Sequence, residues 1–165
     1  MGSKQGDVAL LNEPVAQDLL QSTNIAQLAY VWRDGSPRVI PIWFHWTGDK
    51  FVFAGPTDAP KYKVIADQKV AITINTFSWP HKVLLVRGTA RVNTVQGVAP
   101  EYEAAAYRYF GMDGGKAWIQ QVAALGVEEM ARIELKPEWV GLLDFETRFP
   151  SALEAAMDAT QQRQA

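Results

Sequence analysis

Arg38-Val39-Ile40-Pro41-Ile42-Trp43 is the stretch on which the fold turns. It is short and rich in β-branched residues. Asp34-Gly35 stands before it and Thr47-Gly48-Asp49 after it. Asp-Gly between apolar runs is a strong hairpin signal, so Ile25 to Trp32 and Arg38 to Trp46 read as paired strands, and Lys50 to Ala54 returns as a third. Two hairpins in succession predict an antiparallel meander. Pro41 has no N–H to give to a ladder, which puts its strand at a sheet edge or a bulge.

Further strands follow. Lys69 to Asn75 is one. Lys82 to Val95 alternates, with Leu84, Val86, Gly88, Ala90 and Val92 on one face and Val83, Leu85, Arg87, Thr89 and Arg91 on the other. The first face suits a core; the mixed face could meet a cofactor or a second subunit. Met130 to Leu135 turns Ala131, Ile133 and Leu135 inward, and Trp139 to Phe145 is the last strand. Helices punctuate the rest. Asn12 is a good N-cap with Pro14 in the first turn behind it, and Val15, Leu19 and Leu20 share a face. Pro60 opens a short helix, and Pro100 opens another that runs through Tyr109 and stops at Gly111. Lys116 to Ala124 reads as a further helix, with Gly111-Met112-Asp113-Gly114-Gly115 as the loop between. Ser151 and Glu154 form a capping box for a C-terminal helix. The expected architecture is mainly β (α+β): a single domain over 1–165, a six- or seven-stranded antiparallel barrel with peripheral helices, a helical insertion around 98–124 and a C-terminal helix from about 151.

Composition narrows the function classes. Of 165 residues, 48% are hydrophobic and 21% charged, as in ordinary globular chains. No run is long and apolar enough to span a membrane, and the start Met1-Gly2-Ser3-Lys4-Gln5-Gly6 lacks the apolar core of a signal peptide. The net charge of −2 argues against a broad nucleic-acid surface. With no cysteine, thiolate metal sites and thiol chemistry are excluded. A cytoplasmic location fits these features.

Chemistry concentrates near the opening stretch. Lys61 and Lys63 follow Pro60 at a helix start, where cations are mildly disfavoured by ~0.3–1 kcal/mol each. An anion such as a phosphate would relieve that conflict, with Thr57 adding a hydroxyl. The plainer reading is two surface lysines, neutralised by Asp58. An edge strand leaves backbone groups free to bond the rim of a flat ring, and Trp43 could pack on such a ring; alternatively Trp43, Phe44 and Trp46 are core or interface aromatics. His45 and His81, the only two histidines, have no spaced carboxylate partner and predict no metal site. Glu101 and Glu103 read as a solvated helix face, and Arg148 as a capping or surface residue. No P-loop and no Gly-x-Ser-x-Gly elbow is present.

Arg38-Val39-Ile40-Pro41-Ile42-Trp43, then Phe51-Val52-Phe53-Ala54, Lys61-Tyr62-Lys63-Val64-Ile65 and Leu84-Leu85-Val86-Arg87-Gly88-Thr89-Ala90 together resemble the pyridoxamine 5'-phosphate oxidase-like, FMN-binding split-barrel family. The likeness runs from Ile25 to Val95 and, more loosely, over Met130 to Phe145. It implies a split barrel and a homodimer with FMN at the subunit interface. It implies that Arg38, Val39, Ile40, Pro41, Ile42 and Trp43 lie along the isoalloxazine, that Arg38 and Lys61 hold the phosphate end, and that Lys63 is a nearby basic candidate. The pattern also departs from the family. Ala59-Pro60-Lys61 stands where the oxidases have Ser-Arg-Lys, Val83 beside Lys82 stands where they have a glutamine, and their C-terminal arginine motif is not recognisable around Arg148. The resemblance therefore implies a flavin-type oxidoreductase of unknown substrate and points away from the vitamin B6 reaction. Three rival readings stand beside it: a deazaflavin coenzyme on the same fold, a non-catalytic flavin- or haem-binding sensor, and a purely structural dimer. The chemistry would belong to the cofactor, so no catalytic side chain is nominated.

Overall fold

The computed structural model describes residues 4–164; Met1 to Ser3 of the stretch read above for a signal peptide lie outside them. A short 3-10 helix, Val8–Asn12, leads into α1, Pro14–Gln21. Then come β1 (Ala26–Val31), β2 (Pro37–Ile42), β3 (His45–Trp46), β4 (Phe51–Pro56), α2 (Pro60–Ile65), β5 (Lys69–Asn75), β6 (Val83–Gln96), α3 (Pro100–Ala124), β7 (Glu129–Leu143) and α4 (Ser151–Gln164). The strands form one seven-stranded antiparallel sheet in the order β2-β1-β5-β6-β7-β4-β3. The α+β split-barrel architecture is thus the one expected, and the sheet is not closed by hydrogen bonds.

The manner of its splitting follows from chain continuity. β2 and β3 are the two edges of the sheet, yet only Trp43 and Phe44 separate them. Three Cα steps cover at most about 11 Å, so the sheet must curl until its edges approach at this dipeptide. Phe44 is fully buried there and packs on Phe51. Pro41 lies on the edge strand β2, paired with Gln27 of β1, where a missing N–H costs no central ladder bond.

The core forms where alternation predicts it. Leu84, Val86 and Ala90 of β6 and Ile133 and Leu135 of β7 are buried, and pack with Phe44, Phe51, Phe53, Leu19 and Leu20. A second cluster centres on Ala99, Val122 and Met130, and seats α3 against β4 and β7 through Tyr102 and Trp118.

Four sequence expectations change. Glu13, not Asn12, is the residue before α1; Asn12 closes the 3-10 turn, whose Asp7 carboxylate accepts from the Ala9 N–H at 2.9 Å. The strand read as Arg38 to Trp46 breaks at Trp43-Phe44, because its two halves serve opposite edges. Met130–Leu135 and Trp139–Phe145 are one strand: Pro137 pairs with Gly88 and Trp139 with Arg87, the bulge between them leaves Glu138 as the extra residue, and the Glu138 carboxylate accepts from the Thr89 N–H at 3.0 Å. Residues 112–115 are helical rather than a loop. Gly111 alone breaks the helix, at φ 73° and ψ 178°, a conformation essentially confined to glycine. Trp118 and Tyr102 nevertheless hydrogen-bond, although sixteen positions along a straight helix would part them by about 24 Å. α3 is therefore two arms folded back at Gly111. Gly115 lies where any Cβ would press on the Tyr107 backbone, the mark of that close approach.

Candidate functional site

The inner edge of the split barrel holds a cleft of about 360 Å³, lined by Pro41, Ile42 and Trp43 of the edge strand and its exit, by Ala54, Gly55 and Pro56 of β4, by Lys61 and Tyr62 of α2, and by Tyr102 and Trp118 of α3. Its walls are apolar and aromatic. Trp43 is the hub: its ring centroid lies 5.3 Å from Tyr109, stacked, 5.0 Å from Phe110, 5.7 Å from Tyr102 and 5.8 Å from Trp118. These separations favour offset and edge-to-face contact. Trp43 is thus both part of the cleft wall and anchored by the arms of α3.

Lys61 supplies the cation. It is half-buried, its Nζ lies 4.7 Å from the Tyr62 ring centroid, and burial draws its ammonium below the ordinary lysine value. Among the described residues no carboxylate lies within ion-pair distance of it. An unpaired, partly desolvated charge in an apolar cleft is costly unless an anion joins it. Tyr62 is buried beside it. Burial, with Tyr102 nearby, pushes its phenol up to about 12, so it stays protonated at neutral pH. Its hydroxyl occupies the space a Cβ at Gly55 would need.

The structure divides the predicted site residues among several places. Pro41, Ile42, Trp43 and Lys61 meet in the cleft. Arg38 and Val39 instead line a concavity of about 580 Å³ on the outer face of the sheet, with Ala29, Val31, Ala71 and Trp139. Ile40 packs against the core. Lys63 is exposed in the last turn of the six-residue α2 and borders a third depression with Thr57, Asp58 and Glu129. The two lysines part because residues two apart on a helix point about 200° apart. The expected lysine pair with Thr57 is therefore not formed, and neither lysine ion-pairs with Asp58 among the described residues.

Other candidates have structural partners. Glu101 is not a solvated residue: it accepts from Arg132 Nε at 3.1 Å, and those bonds hold its carboxyl below the usual range. Glu103 accepts from the Tyr107 hydroxyl at 3.0 Å. Arg148 donates to Glu13 at 3.0 Å, and Lys82 faces Asp18 at 3.6 Å. Neither histidine lines the cleft; burial and then the Arg108 charge lower the His45 imidazole pKa, while His81 sits exposed beside Trp79. Sequence reasoning missed Gly55, Tyr62, Tyr102 and Trp118. One signal existed, for Tyr102 alone: Tyr102 and Tyr109 are two turns apart and share a helix face.

Comparison with known proteins adds to this geometry. The family model described as pyridoxamine 5'-phosphate oxidase matches residues 13–144. An F420 reductase structure is 25% identical, with a TM-score of 0.54, over 76% of this chain and 94% of that one. A conserved hypothetical protein from Mycobacterium tuberculosis is 15% identical, with a TM-score of 0.64, over 87% and 91%. An FAD and haem binding protein from Mycobacterium smegmatis is 22% identical, with a TM-score of 0.56, over 84% and 75%. The last two likenesses speak for the fold alone. No curated protein matches the chain. Among the described residues no helix is long and apolar enough to cross a membrane.

Proposed function

This chain belongs to the pyridoxamine 5'-phosphate oxidase family, and on that premise we propose that it is a flavin-dependent oxidoreductase that holds FMN in the cleft between β2, β4, α2 and α3. The observation that carries the reading is Lys61, a half-buried cation without a carboxylate partner among the described residues, set in an otherwise apolar and aromatic cleft. A flat ring with an anionic tail is the ligand such a cleft suits. Lys61 would neutralise the phosphate. The edge strand through Pro41 and Ile42 would offer backbone groups to the ring, and Trp43 and Trp118 would keep water from it. FMN, when bound, supplies the hydride or electron chemistry.

The reading includes a cytoplasmic homodimer. In it, the outer-face concavity that holds Arg38 and Val39 belongs to the subunit contact; Val39 is 63% and Val31 48% exposed in the single chain, an apolar surface that a partner would cover. Lys63 takes no part. The visible spectrum of protein purified without added cofactor tests the assignment: flavin bands are expected, and their loss in Lys61→Ala without loss of folding. Normal flavin content in that variant would sink it.

A second reading places a deazaflavin coenzyme in the same cleft. The F420 reductase likeness supports it, as does Ala59-Pro60 before Lys61, which offers no side-chain ligand to a compact phosphate. A deazaflavin spectrum in the purified protein would favour it.

A further inference from the structure

We propose that the Tyr102 hydroxyl is the hydrogen-bond donor that reads the polar edge of the ring held in the cleft, and that Trp118 sets its direction. The proposal rests on the flavin-type reading of the cleft and assigns a recognition residue to it.

Three observations carry it. Tyr102 and Trp118 both line the cleft, from opposite arms of α3. Trp118 Nε1 donates to Tyr102 Oη at 3.0 Å. Indole N–H is a donor only, so this bond occupies a lone pair of the phenol oxygen and leaves its proton to give. Among the described residues no acceptor takes that proton. Trp43 packs on the Tyr102 ring with centroids 5.7 Å apart, so the phenol is held from the ring side as well as at its oxygen. A fixed donor with an unspent proton in an apolar cleft matches an acceptor on the ligand, because a polar group left unmet in such surroundings costs free energy. A tricyclic ring with carbonyl and imine acceptors along one edge has that chemistry. Lys61 stands in the same cleft for an anionic tail. Tyr102 would thus recognise the ring and Lys61 the tail.

The test titrates cofactor-free protein with FMN, riboflavin and the deazaflavin coenzyme F420, following ligand fluorescence and the visible spectrum. Tyr102→Phe keeps the ring and removes only the hydroxyl. It should weaken FMN and riboflavin alike, by about tenfold, and shift the bound flavin's absorption bands. Trp118→Phe should shift the bands in the same direction with a smaller loss of affinity. Lys61→Ala should weaken FMN far more than riboflavin, which lacks the phosphate. Thermal unfolding of each variant reports folding separately. Unchanged affinity and spectrum in Tyr102→Phe, with wild type binding normally, would overturn the role of Tyr102 and leave the cofactor assignment standing. A wild-type protein that binds none of the three ligands would overturn the cofactor assignment and this donor role with it.

Discussion

The Arg108 guanidinium lies 4.2 Å from the Phe44 ring centroid and donates from Nη2 to the carbonyl of the same residue at 2.5 Å. Phe44 is the buried half of the dipeptide that joins the two edges of the sheet. The other nitrogen, Nη1, donates to the Leu20 carbonyl at 2.9 Å. One side chain thus ties α3 to the seam of the barrel and to the end of α1, and holds the aromatic wall over the cleft. Its Nε is buried without a hydrogen-bond partner among the described residues, a cost the two carbonyl bonds and the ring contact offset.

Arg108→Ala should therefore destabilise the protein by ~2–4 kcal/mol, since two buried carbonyls lose their donor. Urea unfolding measures this. Tryptophan fluorescence should change with it, because Trp43 and Trp118 lie in the wall that Arg108 anchors. A stability within 0.5 kcal/mol of wild type, the usual range of neutral surface changes, would contradict the clamp.

Gly55 and Tyr62 are coupled by space. A Cβ at Gly55 would collide with the Tyr62 hydroxyl and lie 3.1 Å from its Cζ. Gly55→Ala should cost ~1–3 kcal/mol by overpacking. Adding Tyr62→Phe removes the colliding oxygen, so the double variant should regain part of the loss in a double-mutant cycle. Additive effects would show that the two do not press on each other.

Asp144 contributes to the acid limb of stability. Burial alone would raise its pKa, but the Thr147 hydroxyl and the N–H groups of Glu146, Thr147 and Arg148 outweigh that and hold it at about 2. A value below the unfolded 3.8 means the folded protein binds this proton less readily than the unfolded chain. Its contribution is full above about pH 4 and is lost as the pH falls through about 2. Asp144→Asn should lower stability at neutral pH and flatten this limb, as unfolding titrations at a series of pH values would show. An unchanged acid limb would remove Asp144 from the account.

The proposed homodimer has its own check. Val31→Glu and Val39→Glu place charge on the outer-face patch and should shift the sedimentation of the protein from dimer to monomer. A dimer that survives both changes would move the interface elsewhere.

Much of this was legible in residue order alone. Alternation in Leu84 to Val92 and in Ala131 to Leu135 named the core faces, because a strand's period of two leaves little choice once one face is buried. Pro41 announced an edge or a bulge because a missing N–H is a local fact. Lys61 stood out because a cation at a helix start conflicts with the chain beside it. Other features lie beyond any local rule. That β2 and β3 are opposite edges depends on the pairing of all seven strands. Lys61 and Lys63 parted because a six-residue helix aims them apart, whatever their nearness in the chain. Tyr102, Trp118 and Arg108 acquired their roles only when α3 folded at Gly111 and docked over Trp43. Local sequence determined most of the strand spans, the special place of Pro41 and the cation, since those follow from backbone chemistry within a few residues; the break at Trp43-Phe44 and the continuity of β7 through Pro137 did not. The tertiary structure alone decided the shape of the cleft, because contacts between Tyr102, Trp118 and Trp43 depend on packing between segments far apart in the chain.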